Sequence, residues 1–179
     1  MKELVDISLK VVEYYIKNKK EPNESEIDIK DKSLLKQKGC VFVTFYKNGE
    51  VRGSAGNVKE IEGNIVLETI KSVISAISQD NRFPAFGESD LKDLRIRVDY
   101  IKSRDILSEG KINLLDPFKS GVLVMSKDYI SLGIILPNIS SKLLSGEDFI
   151  PILEAKMGKP FSDKDSYIYE IKTDVYTNY

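Results

Sequence analysis

Over residues 4–17 the apolar positions Leu4, Ile7, Val11, Tyr14 and Tyr15 recur at helical spacing, with Lys and Glu between them. That pattern predicts an amphipathic opening helix whose apolar face packs on a sheet. Residues 18–33 lose the periodicity and are dense in Lys, Glu, Asp and Asn around Pro22, which predicts a surface connection with a short extended piece at Ile27 and Ile29. The run Cys40-Val41-Phe42-Val43-Thr44-Phe45-Tyr46 is β-branched and aromatic, and Asn48-Gly49 supplies the two positive-φ positions of a tight hairpin turn. A second strand begins at Glu50, followed by a glycine-rich loop over residues 52–56. Past Gly63, the positions Val66, Ile70, Val73, Ile74 and Ile77 share one helical face, with Asn64 as the N-cap.

The exit from that helix, Asp80-Asn81-Arg82-Phe83-Pro84-Ala85-Phe86, is irregular. Pro84 forces Phe83 out of helical geometry, and Phe83 and Phe86 are placed to pin the loop to the core. Arg95-Ile96-Arg97-Val98-Asp99-Tyr100 alternates charged and apolar residues, which predicts a strand with one wet face. Two more strands are expected at 121–125 and 129–136, joined by a turn over 126–128 and ended by Pro137. A helix capped by Asp148 would put Pro151 in its first turn, where no intrahelical donor is lost, and would close at Gly158. The closing segment, with Tyr167, Tyr169, Ile171, Thr173 and Val175 at a period of two, predicts a strand in an antiparallel sheet. No linker, repeat or low-complexity tract interrupts this series, so a single domain over residues 1–179 is expected.

Composition narrows the chemistry. A chain of 179 residues with 41 % hydrophobic and 31 % charged content is that of a globular protein, and its formal net charge of -1 with scattered lysines argues against a dedicated nucleic-acid binder. The best basic patch is the thin one at Arg95 and Arg97. No apolar run has membrane-spanning length and the first residues lack a signal-peptide core, so a cytoplasmic protein is expected. The lone cysteine, Cys40, cannot form an internal disulfide or a thiolate-rich metal site, and its apolar neighbours suggest a buried structural thiol. There is no histidine, which removes Ser-His and Cys-His pairs and imidazole metal sites. Glu60, Glu62, Asp80 and Asp93 match no calcium loop, so no metal site is assigned and no cofactor is implied.

Several stretches in order, Gly39-Cys40-Val41-Phe42-Val43-Thr44, Asn48-Gly49-Glu50-Val51-Arg52-Gly53, Ser75-Ala76-Ile77-Ser78-Gln79-Asp80, Arg82-Phe83-Pro84 and Ile134-Ile135-Leu136-Pro137, together resemble the AMMECR domain family. Its prokaryotic members are also called AmmeMemoRadiSam system protein A. The resemblance covers nearly the whole chain. It implies an α+β fold, mainly an antiparallel sheet flanked by helices, with a smaller lobe. It also implies association with Memo-like proteins and radical SAM enzymes, and it implies no particular reaction. The family pattern at the central loop is similar to Leu-Arg-Gly-Cys-Ile-Gly; Arg52, Gly53 and Gly56 match it, whereas Ser54 stands for the cysteine and Ala55 for the larger apolar residue.

The candidate site is therefore Arg52, Gly53, Ser54 and Gly56, joined by Arg82 from the loop after the second helix. Loop amides and guanidinium groups favour negative oxygens, which points to a small anionic ligand. The competing account is structural, with the glycines meeting backbone needs, Arg52 pairing with an acid, and Arg82 capping the preceding helix. Ser54 is the one candidate for catalysis, and a poor one, because a hydroxyl is far less acidic than a thiol and no histidine exists to activate it. The expectation is a ligand-binding or accessory protein; the alternatives are a group-transfer enzyme using this loop and a protein-interaction module.

Overall fold

The structure is a computed structural model describing residues 1–179. It is an α+β fold whose six strands hydrogen-bond in the order β2-β1-β3-β6-β4-β5. The strands are β1 (Val41–Lys47), β2 (Glu50–Gly56), β3 (Arg95–Ile106), β4 (Gly121–Ser126), β5 (Leu132–Ile135) and β6 (Ser166–Thr177). The helices are α1 (Glu3–Asn18), α2 (Ile65–Ser78), the single turn α3 (Glu88–Leu91) and α4 (Phe149–Met157). The pairs β1/β2, β1/β3, β4/β5 and β4/β6 are antiparallel. The chain divides into two compact units, residues 1–100 with 174–179, and residues 101–173.

In the first unit, Val41, Val43 and Phe45 alternate toward a core completed by Ile96 and Val98 of β3 and by the apolar faces of α1 and α2. α1 buries Leu4, Ile7 and Val11 as its spacing predicts, but the rest of the face is Val5, Val12 and Ile16. Tyr14 and Tyr15 lie at its margin, where the Tyr14 hydroxyl donates to Glu26. α2 starts where expected, the Asn64 side chain accepting from Leu67 N at 3.0 Å. Asn48 and Gly49 adopt the positive φ of 54° and 84° that the β1–β2 turn requires. The connection after α1 forms 3-10 turns at Glu24–Glu26 and Lys32–Lys36, and between them lie buried Ile27, in extended geometry, and buried Ile29.

In the second unit, α4 packs on β5, and Phe149, Leu153 and Met157 join Val122, Val124, Ile135 and Ile168 in a separate core. Asp148 precedes the helix and Gly158 closes it at φ 68°, so Pro151 sits in the first turn. The Asp148 carboxylate, however, turns back to accept from Leu144 N at 2.7 Å and Ser145 N at 2.8 Å. β5 is shorter than its apolar run, because residues 129–131 belong to the turn after β4, with Tyr129 at φ 60°.

Two expectations are corrected. Residues 52–56 are not a loop but the body of β2, an edge strand. The alternating face of β3 is wet only at Arg95, which is exposed: Arg97 is 6 % exposed and Asp99 0 %. They pair side-on, Arg97 Nε to Asp99 Oδ2 and Nη2 to Oδ1, both at 2.7 Å. Burial works against the guanidinium charge, but the Asp99 carboxylate outweighs it and holds Arg97 above its ordinary pKa. Such a pair adds little net stability, yet losing one member strands the other charge in low dielectric. Asp99→Ala is accordingly expected to destabilise the fold by about 3–5 kcal/mol, read as a lowered urea midpoint; a change within about 0.5 kcal/mol, the usual scale of surface substitutions, would show that Arg97 does not depend on this partner.

Candidate functional site

β2 carries four of the five predicted site residues, and its register explains where each points. Phe45 pairs with Gly53 and Tyr46 with Val51, so Arg52 is the extra residue of a bulge. The bulge aims Arg52 at α3. Its Nε and Nη2 donate to the two carboxylate oxygens of Asp90, each at 3.0 Å, and Nη1 donates to Pro84 O at 2.9 Å. Beneath the guanidinium lies the Phe86 ring, 4.3 Å from its carbon to the centroid. Phe86 in turn meets Phe45 edge-on at 5.4 Å.

Asp90 is thus a hub, accepting also from Gly87 N at 3.0 Å and from Lys47 Nζ at 3.3 Å. Burial pushes its carboxyl up, but the Gly87 amide, Arg52 and Lys47 together prevail and hold it below the usual range. Phe86 does pin the loop after α2, as expected, and Arg52 and Asp90 complete the clamp.

Gly53 faces α2, where any side-chain carbon would collide with the Ala76 carbonyl oxygen. Gly56 similarly lies against the Val41 carbonyl and Phe42. Both glycines serve close packing of backbone.

Ser54 lies on the opposite face. Its Oγ is 2.8 Å from Thr44 Oγ1, and Thr44 is in turn registered against Arg97 of β3, so Ser54, Thr44 and Arg97 form one cross-strand row. The Ser54 N–H points off the free edge of the sheet and donates to Asp80 Oδ2 at 3.0 Å.

Asp80 also receives Arg82, through N at 3.2 Å, Nε at 2.9 Å and Nη2 at 2.7 Å. The Arg82 guanidinium is the chief reason that the Asp80 carboxyl sits low; burial opposes it, and the Ser54 and Arg82 amides add to it. The Asp80 side chain is 8 % exposed, whereas that of Arg82 is 57 % exposed and lies over Phe83, 5.2 Å from the ring centroid.

The predicted residues therefore divide. Ser54 and Arg82 meet at one carboxylate, Asp80; Arg52 is bound by another, Asp90. Beside the end of β2 is a hollow of about 90 Å³ lined by Ala55, Gly56, Asn57, Lys71, Ser72 and Ser75.

In the sequence Asp80 reads only as a candidate cation ligand, and no motif marks Asp90, Thr44 or Glu68. Glu68, fully buried in α2, accepts from Asn57 Nδ2 at 2.9 Å, Glu62 N at 2.8 Å and Ile61 N, holding the strand-to-helix connection. A lone acid at a buried helical position was the available signal. The Ser54 hydroxyl faces another hydroxyl, and the chain has no imidazole to serve as its base.

The AMMECR1 family model matches residues 5–178. The chain belongs to the AMMECR1 family. A Thermotoga maritima protein is 32 % identical over 172 residues, 94 % of each chain. A Methanothermobacter thermautotrophicus protein is 24 % identical over 180 residues, covering 97 % of this chain and 91 % of that one. A Clostridium acetobutylicum protein is 33 % identical over 99 residues, which are 55 % of this chain but 20 % of that longer protein. The crystal structure of an uncharacterized Pyrococcus horikoshii protein superposes with a TM-score of 0.84 at 24 % identity, covering 98 % of this chain and 90 % of the other, which shows the AMMECR1 chain to share its fold. No helix is long and apolar enough to cross a membrane.

In this AMMECR1 chain Asp80 and Asp90 both have carboxyls depressed in the folded state. Each contributes stability that is complete above the unfolded value of about 3.9 and is lost as pH falls through the lower folded value. Acid unfolding monitored by circular dichroism should begin below about pH 4, and Asp90→Asn should flatten that dependence. Arg52→Ala, which leaves a largely buried Asp90 with Lys47 and the Gly87 amide, should cost about 2–4 kcal/mol in urea unfolding. An Arg52→Ala protein as stable as wild type would mean that the clamp is not structural.

Proposed function

We propose that this AMMECR1 protein is a binding or accessory subunit that works in the cytoplasm beside Memo-like and radical SAM proteins, with the chemistry carried by the partner. The observation that carries this reading is the Ser54–Asp80–Arg82 cluster. One carboxylate fixes both the strand amide of Ser54 and two guanidinium nitrogens of Arg82, while more than half of the Arg82 side chain stays open to solvent. A cation held in one orientation on a rigid edge is suited to recognising an anionic group, because its ordering entropy is already spent in the fold. Asp80 cancels the charge of Arg82, so recognition rests on hydrogen-bond geometry rather than on a long-range field.

Nothing around Ser54 supports a nucleophile, since its hydroxyl is shared with Thr44. The Clostridium acetobutylicum relative, in which the matched segment is one fifth of the protein, supports a domain that operates within a larger assembly.

The test is affinity capture of the Memo-like and radical SAM proteins of the same cell, followed by calorimetry. Wild-type protein is expected to retain at least one of them, Arg82→Ala to weaken the contact at least about tenfold, the scale of losing a charged hydrogen-bonding group, and Ser54→Ala to change it little. Failure of the wild-type protein to bind either partner would remove the accessory role, and an unchanged Arg82→Ala affinity would remove Arg82 from it.

A further inference from the structure

In the second unit a hollow of about 450 Å³ lies between the end of β3 and the start of β6. Its volume is that of a small-molecule site. Leu107 and Tyr167 contribute apolar wall, and four charged side chains, Glu109, Lys127, Asp163 and Lys164, line the same space. No ion pair joins any of these acids to either lysine. Opposite charges on side chains around one gap ordinarily meet across it, so these are held apart.

For Lys127 and Asp163 the structure shows what holds them. Lys127 donates its amide to Asp165 O at 2.8 Å and its ammonium to Lys164 O, which ties the turn after β4 to the segment that leads into β6. Asp163 Oδ2 accepts from Gly110 N at 3.2 Å, and the Asp163 carbonyl accepts from Ser166 N at 3.4 Å. Both charges are therefore fixed by main-chain partners and not by each other. The Glu109 and Lys164 side chains, by contrast, are exposed and make no hydrogen bond within the chain.

Asp163 also carries a deficit. Its Oδ1 is closed off from water and accepts no hydrogen bond, which is true of no other buried side-chain nitrogen or oxygen in the chain. A shielded carboxylate oxygen without a donor costs free energy that an arriving donor returns. Lys127 has the converse capacity, because its ammonium spends one donor on Lys164 O and keeps the others.

We propose that this hollow binds a small zwitterion, a free amino acid or a molecule of the same charge pattern, whose ammonium donates to Asp163 and whose carboxylate accepts from Lys127. A ligand of one sign fits less well. A cation satisfies Asp163 but faces the fixed Lys127, and an anion satisfies Lys127 but faces Asp163, whereas a molecule with both charges meets an opposite charge at each end. The hydrocarbon between its charges lies against Leu107 and Tyr167. Because both protein groups are already held in place, little side-chain ordering is lost on binding.

The experiment is a titration of the isotope-labelled full chain, followed by amide NMR at constant ionic strength, with glycine, β-alanine and γ-aminobutyrate, and with ethylamine and propionate as ligands of one charge. At least one of the amino acids is expected to shift the amides of Gly110, Lys127 and Tyr167 saturably, with a dissociation constant of about 1 mM or tighter. Ethylamine and propionate should bind at least about tenfold more weakly, the scale of one charged hydrogen bond. Lys127→Met and Asp163→Asn should each weaken the amino acid at least about tenfold. Lys127 is exposed, so its variant should unfold in urea as wild type does, and it carries the test if Asp163→Asn does not fold. The proposal is overturned if none of the amino acids shifts these amides, or if either folded variant binds as well as wild type. Ethylamine binding as tightly as the amino acid would equally overturn it, in favour of a site for cations alone, and propionate doing so would overturn it in favour of a site for anions alone.

Discussion

The contact on which the first unit depends is the backbone approach of β2 to α2 at Gly53. A strand can lie this close to a helix only where it has no side chain, and the Ala76 carbonyl occupies the space that a Cβ would need. That approach lets the edge strand share the α2 core, but it leaves β2 with little apolar area of its own to hold it there. Two carboxylates supply the missing attachment. Asp90 takes Arg52 at the bulge, and Asp80 takes the Ser54 amide one turn of pleat farther on. Both acids come from the segment that follows α2, so the helix, its exit loop and the edge strand are fixed as one piece.

This arrangement explains why the arginine and glycine pattern reads as a ligand site in one dimension and as a clamp in three. A guanidinium donating to both oxygens of one carboxylate and to a carbonyl has little capacity left for a ligand, and stacking on Phe86 fixes its plane. Arg82 differs in having no carbonyl partner and in its exposure. Its Asp80 contact is as well aligned as that of Arg52, but the opposite side of its side chain is open to solvent.

Much of the fold was legible because local chemistry and tertiary packing agree. Asn64 caps α2, Asn48 and Gly49 make the hairpin turn, and Pro151 falls where a helix tolerates it. The reading failed where a local pattern has two tertiary solutions. Alternating Arg97 and Asp99 with apolar residues predicts a solvated face in any strand covered on one side only, and a sequence does not reveal that two opposite charges two residues apart satisfy each other in a buried place. Residues 52–56 failed for the converse reason. Their glycines signal turns when exposed, but here they signal a helix and a neighbouring strand passing overhead. Asp80 and Asp90 carried no signal of their own; their importance comes from the groups that they meet, one of them 38 positions away along the chain.

The cross-strand row Ser54–Thr44–Arg97 is the last consequence of the β2 register. Because side chains alternate strictly along a strand, Gly53 cannot face α2 unless Ser54 faces the other way, toward Thr44 and the buried ion pair. The identity of residue 54 is therefore chosen against a polar wall: a small side chain able to share a hydrogen bond with Thr44 fits, and a larger apolar one would leave that hydroxyl without its partner. The Thr44 hydroxyl gives a serine at this position a hydrogen-bond partner.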